Sequence, residues 1–159
     1  MQNLKILVVY YSRSGTTRRV ADALSTALES SIEEVLETRD RAGFSGYWRS
    51  LLEARSKRPA DILPGRNDPS AFDLVIVGTP VWAWSVSSPI RAYLSANKQR
   101  LPSVAFFCTM GGRGSATAFA QMQEIAGKTP LATCALTARD TASDRIDLHL
   151  STFVAELRA

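Results

Sequence analysis

The sequence is poor in the residues that build metal centres and cross-links. It has two cysteines, Cys108 and Cys134, and one histidine, His149. No spacing among them matches a zinc site, so no metal is expected. Both cysteines stand in apolar stretches and are expected as reduced core thiols of a cytoplasmic protein. No segment approaches the roughly 20 apolar residues of a membrane span. The apolar run at 4–11 is broken by Lys5 and has neither a basic lead-in nor a small-residue cleavage site, so no signal peptide is expected. Repeats and low-complexity tracts are absent. Charge of one sign is in modest excess, at +4 over 159 residues. The basic residues are spread out, with local clusters at Arg18-Arg19 and residues 55–58, and form no stripe interleaved with aromatics. That argues against nucleic acid as a partner and fits an attraction to small anions.

What is present is a globular composition, 45% hydrophobic and 21% charged, in a length that suits one domain over 1–159. Residues 4–11 read as a buried strand, rich in β-branched and aromatic side chains. Val20, Ala23, Leu24, Ala27 and Leu28 recur at helical spacing just after it. Further strands are expected at 31–36, 73–78, 103–109 and 130–137. Further helices are expected from Pro89, over 115–126 with a glycine stop, and over 143–158. In the last, Ile146, Leu150, Phe153, Val154 and Leu157 share a face. Strands alternating with helices imply an α/β fold, a doubly wound five-stranded parallel sheet in the order 2-1-3-4-5. The stretch 38–72 is polar, rich in glycine and proline, and irregular apart from one short helix expected around 47–55. A connection of that length is usually functional or mobile.

In such a sheet ligands bind beyond the carboxyl ends of the strands, at the switch point between the first and third. After strand one stands Ser12-Arg13-Ser14-Gly15-Thr16-Thr17. Its hydroxyls and N–H groups, at a helix N-terminus, suit a phosphate. Ser and Thr also cap helices, but four hydroxyls in six positions exceed one cap. The segment lacks the Gly-Lys-Ser/Thr ending of an ATP-type loop and the dinucleotide glycine spacing. After strand three stands Thr79-Pro80-Val81-Trp82-Ala83-Trp84, whose tryptophans either pack beside a planar ring or cover the top of the sheet. After strand four stands Thr109-Met110-Gly111-Gly112-Arg113-Gly114. Its glycines allow close backbone approach, with Arg113 placed to offset a negative ring edge; read alone, it is equally a surface loop. Together the three loops describe a pocket for a phosphate-bearing planar heterocycle.

These residues resemble the flavodoxin family. Ser12, Ser14, Gly15 and Thr17 follow its phosphate-loop pattern, residues 73–82 resemble its third strand and first flavin-ring loop, and residues 109–115 stand where its second ring loop belongs. The resemblance covers the chain in element order. It implies bound FMN, with phosphate on 12–17 and the isoalloxazine between 79–84 and 109–114. The chemistry would be the cofactor's, with no catalytic residue of the protein's own. Ser12, Ser14 and His149 make no triad, and His149 reads as a surface or packing residue. Three departures from the family pattern stand out. The second ring loop has no aromatic, leaving one ring face open. Residues 81–84 contain no glycine, which the family uses to stabilise the one-electron reduced flavin. The chain is basic where electron-carrier flavodoxins are acidic.

The expected function is an FMN-dependent oxidoreductase, passing electrons from NAD(P)H or a reductase to a small acceptor such as a quinone. A flavodoxin-type one-electron carrier serving a redox protein is the alternative. A flavin-free module on the same fold is a third reading; a phosphoacceptor would want an aspartate where the third strand ends Val77-Gly78-Thr79. A homodimer is compatible with all three. Residues 39–48, with Tyr47 and Trp48, would be either a lid near the open ring face or, the preferred reading, a surface excursion packed on the sheet.

Overall fold

The computed structural model describes residues 3–38 and 61–159. The elements run β1 (Ile6–Tyr10), α1 (Thr16–Leu28), β2 (Ser31–Glu34), β3 (Leu74–Trp82), β4 (Ser85–Val86), α2 (Ser88–Asn97), β5 (Ser103–Met110), α3 (Ser115–Ala126), β6 (Thr133–Thr137), α4 (Ala138–Thr141) and α5 (Arg145–Arg158). Five strands pair in the order β2-β1-β3-β5-β6, all parallel. This is the expected 2-1-3-4-5 arrangement, with β5 and β6 as its fourth and fifth members. The short β4 is an addition that pairs antiparallel with the end of β3.

The strands read as unbroken apolar runs because both faces of the sheet are covered. Leu7, Val9, Val75, Val77, Val104 and Phe106 face one side, where Ile90, Tyr93 and Leu94 of α2 and Met122 of α3 close the core. The alternate residues Val8, Leu74, Ile76, Ala105 and Phe107 face the other, against Val20, Ala21 and Leu24 of α1 and Leu150 and Phe153 of α5. The α5 face expected from sequence is the one that packs, with Ile146, Val154 and Leu157 half-buried around it. Cys108 and Cys134 are buried free thiols, and burial pushes both up to about 12, so they stay protonated at neutral pH.

The expected boundaries shift most at β3. It does not stop at Gly78 but continues to Trp82, because β5 pairs Thr79 with Cys108 and Pro80 with Thr109, and β4 then pairs Val86 with Val81 and Ser85 with Trp82. A two-residue turn then folds the chain back into β4. Its residues, Ala83 and Trp84, have φ of 49° and 66°. Such tight hairpins need left-handed residues and usually take Asn-Gly. Two residues with Cβ atoms in this region are strained by about 1 kcal/mol each.

Of the stretch expected to be irregular, residues 61–72 are ordered against the sheet. Ile62 bridges Glu37 antiparallel, and Asp68 caps a 3-10 turn over Pro69–Ala71. The helix expected around 47–55 and the lid at 39–48 lie outside the described residues. Among the described residues no helix is long and apolar enough to cross a membrane, and no three His, Cys, Asp or Glu side chains are grouped to hold a metal.

Candidate functional site

Two helices begin at the carboxyl edge of the sheet with a glycine in the left-handed region. Gly15 (φ 98°) precedes α1 and Gly114 (φ 107°) precedes α3. Neither helix has a side-chain cap or an acidic residue in its first turn. The first N–H groups of a helix have no partner within it, so both positive ends lack an acceptor from the capping side chain. The hydroxyls of 12–17 are therefore not an ordinary cap. Ser12 Oγ instead accepts the N–H of Gly15 at 3.0 Å, which tightens the loop.

Between α1 and the ends of β3 and β5 lies a cleft of about 250 Å³. It collects Arg13, Ser14, Thr16 and Thr17 from the first loop, Pro80, Val81 and Trp82 from the second, and Thr109, Met110 and Gly111 from the third. These come from three well-separated parts of the sequence, and none of the described residues lining the cleft is a carboxylate. The structure adds Ala138 and Thr141 from α4, which sequence reasoning missed. The same carboxyl-edge rule applied after the fifth strand would have found them.

The first and third loops are tied directly. Thr17 and Thr109 share a buried hydrogen bond, Oγ1 to Oγ1, at 2.8 Å. Thr17→Val strands the Thr109 hydroxyl in a buried site and is expected to cost about 1–2 kcal/mol. The double variant Thr17→Val/Thr109→Val removes both partners and should recover most of that loss. Urea unfolding midpoints of the two variants check this.

Not every expected site residue reaches the cleft. Thr79 is fully buried; its hydroxyl lies 2.8 Å from the Pro80 carbonyl oxygen and accepts the Ser87 N–H at 3.1 Å, tying β3 to the start of α2. Ala83 is in the turn, outside the cleft lining. Ser12 and Gly15 shape the first loop without lining the cavity, and Gly112 and Arg113 are exposed beside it. Gly114 serves the fold: a Cβ there would meet Val81 Cγ1 at 2.9 Å and the Trp84 Cα at 3.0 Å. Arg18 is held by Glu34, at 2.6 and 2.7 Å, and Arg19 donates to the Thr141 carbonyl at 3.0 Å. Both guanidiniums are thus engaged by the protein.

The tryptophans divide. Trp82 is only 8% exposed and belongs to the core, edge-on to Tyr11 at 5.6 Å, while still lining the cleft. The two readings offered for the tryptophans meet at Trp82, which covers the sheet and lines the cleft, because the extended β3 carries it back onto the sheet. Trp84 is 59% exposed on the strained turn. His149 is a packing residue, its Nε2 3.3 Å from Asp140 Oδ1. The Asp140 carboxyl is held below its usual range, first by the Thr137 N–H.

A family model described as flavodoxin matches residues 5–149. No curated protein matches the sequence. Among solved structures, the chain is similar to a flavoprotein of Lactobacillus acidophilus NCFM crystallised in complex with FMN. That match has 23% identity and a TM-score of 0.73, over 87% of this chain and 97% of that one. A flavoprotein candidate from Bacteroides eggerthii DSM 20697 matches at 21% identity and a TM-score of 0.78, over 95% and 98%. The two-electron reduced flavodoxin of Megasphaera elsdenii matches at 14% and 0.58, over 97% and 99%. At these identities the structural likeness establishes the fold.

Proposed function

The chain belongs to the flavodoxin family, and we propose that it binds FMN non-covalently in the carboxyl-edge cleft and acts as an FMN-dependent oxidoreductase. In this reading it takes electrons from NAD(P)H or a reductase and passes them to a small acceptor such as a quinone. The observation that carries the cofactor assignment is at Gly111 and Gly112. Neither has a positive φ, and a Cβ at either would meet nothing among the described residues within 4 Å. The protein's own packing does not ask for glycine there, whereas close approach of a flat ligand to the backbone does.

The remaining residues fit the same group. Ser14, Thr16 and the free N–H groups at the start of α1 would hold the phosphate, in a cleft whose lining carries Arg13 and no carboxylate. Pro80, Val81 and Trp82 would flank the ring on one side and Met110 and Gly111 on the other. FMN supplies the redox chemistry when bound. The Thr17–Thr109 bond keeps the phosphate and ring loops at a set spacing. The N–H groups of 111–114, with Arg113 beside them, would stabilise negative charge on a ring edge. An enzyme is favoured over a one-electron carrier because the 110–114 loop has no aromatic to cover a ring face and the chain is basic.

The test is FMN titration with flavin fluorescence, followed by stepwise dithionite reduction and assay with NADH or NADPH and a quinone. The expected result is saturable quenching, direct passage to the two-electron reduced flavin, and quinone-dependent oxidation of the nicotinamide. A strong long-wavelength band of the one-electron reduced flavin, without turnover, would make it a carrier. Absence of quenching would overturn the cofactor assignment.

A further inference from the structure

On the other side of the sheet's first edge is a second, smaller cavity of about 120 Å³, between β2, the strap formed by residues 62–67, and α2. It shares no lining residue with the flavin cleft. Its walls join the apolar Val35, Leu36, Ile62 and Leu63 to four charged or polar side chains, Glu33, Glu34, Arg66 and Tyr93; Arg66 is exposed, Glu34 is half-buried, and Glu33 and Tyr93 are buried. Glu33 is 6% exposed and Tyr93 is 3% exposed.

Glu33 is anchored at one oxygen only. Its Oε1 accepts the N–H of Arg66 and, at 3.0 Å, the N–H of Asn67. Its Oε2 is buried with no hydrogen-bond partner among the described residues, and the Tyr93 hydroxyl is buried with none among them either. No ion pair neutralises Glu33 among the described residues, while neighbouring Glu34 is paired with Arg18. A buried carboxylate left without a counter-charge is costly, and buried polar atoms without partners are rare. Two of them lining one cavity need a shared explanation. Gly65 keeps the free oxygen approachable: a Cβ there would stand 3.3 Å from Oε2. Burial, and then the Glu33 charge, push the ionisation of Tyr93 up, so its phenol keeps its proton.

We propose that this cavity is a binding site for a small primary ammonium group, held by Glu33 Oε2 and the Tyr93 hydroxyl. The ligand must donate hydrogen bonds to the carboxylate, carry positive charge, and present a short apolar part to the Leu and Ile walls. A water occupies about 30 Å³ of liquid, so the cavity takes an amine of only a few heavy atoms. A hard metal ion would want six or more oxygen ligands, more than Glu33, the Arg18-paired Glu34 and Tyr93 supply beside the Arg66 guanidinium. Nucleotides and dicarboxylates have the wrong size and charge.

The test uses the full chain with FMN present and follows the backbone amide resonances of Arg66 and Asn67, which donate to Glu33. Methylammonium chloride is titrated at constant ionic strength, against tetramethylammonium chloride, which has the charge but no N–H. Methylammonium is expected to shift both amides saturably and tetramethylammonium to leave them unmoved. Tyr93→Phe should weaken the binding about fivefold to tenfold and Glu33→Gln more than tenfold. Gly65→Ala should weaken it by crowding Oε2. Glutamine still offers an acceptor to both N–H groups, so the strap stays docked; if that variant fails to fold, Tyr93→Phe and Gly65→Ala decide. No saturable shift, an equal response to tetramethylammonium, or variants that bind like the wild type would overturn the proposal and leave a cavity that holds only water. Because the two sites share no lining residue, either can fail without the other.

Discussion

Replacing Gly111 by valine is expected to leave the fold intact and to cut FMN affinity about tenfold to a hundredfold. The fold tolerates it because Gly111 has an ordinary φ and no protein atom within 4 Å of a Cβ position. Substitutions of that kind usually change stability by no more than about 0.5 kcal/mol. The ligand does not tolerate it, because Gly111 lines the cleft and bulk forced into a filled site costs about 1–3 kcal/mol. Thermal midpoint without FMN and the dissociation constant from flavin fluorescence measure the two halves separately. Gly112→Val, just outside the cleft lining, should have the smaller effect. Gly114→Ala should do the reverse of Gly111→Val. It strains a left-handed position and crowds Val81 and Trp84, so it destabilises the protein even without flavin. Unchanged affinity in Gly111→Val would place the flavin ring elsewhere.

The largest effect on stability is expected at Gly78. It sits in the middle of β3, in register with Tyr10 on one side and Phe107 on the other. The tip of the fully buried Phe107 ring occupies the space a side chain at 78 would need. Gly78→Ala therefore overpacks the α1/α5 side of the core, at a cost of about 3 kcal/mol. For a protein of this size that lowers the thermal midpoint by roughly 6–12 °C. Shortening the ring should relieve the clash. The double variant Gly78→Ala/Phe107→Leu is expected to be less destabilised than the two singles summed, with a coupling of about 1–2 kcal/mol. Simple additivity would show that the ring moves aside on its own.

Much of the candidate cleft was legible because it lies where sheet topology requires. The loops after strands one, three and four could be named from sequence, and the cleft draws residues from all three. The errors share a cause: hydrogen bonding between distant strands is not encoded locally. Pro80 and Trp82 read as loop, yet pairing with β5 as far as Pro80, and then with β4, carries β3 on to Trp82. The Ala83-Trp84 turn has no turn signature because its conformation is imposed by the hairpin around it. Thr79 looked like a ligand contact, and its hydroxyl is spent on Ser87. Arg18 and Arg19 could not be assigned until Glu34 and the Thr141 carbonyl stood beside them.

The sequence by itself determined the layered architecture and its ligand-binding edge. Apolar runs bounded by helical periodicity leave a doubly wound parallel sheet as the arrangement that covers both faces, and strand order then places the cleft. Only the tertiary structure decided which polar groups are spent internally and which are left over. That division depends on partners dozens of residues away: Thr109 for Thr17, the Thr141 carbonyl for Arg19, and the 66–67 backbone for one oxygen of Glu33. A hydrogen bond satisfied across such a distance leaves no periodic trace in the chain, whereas burial of apolar surface does.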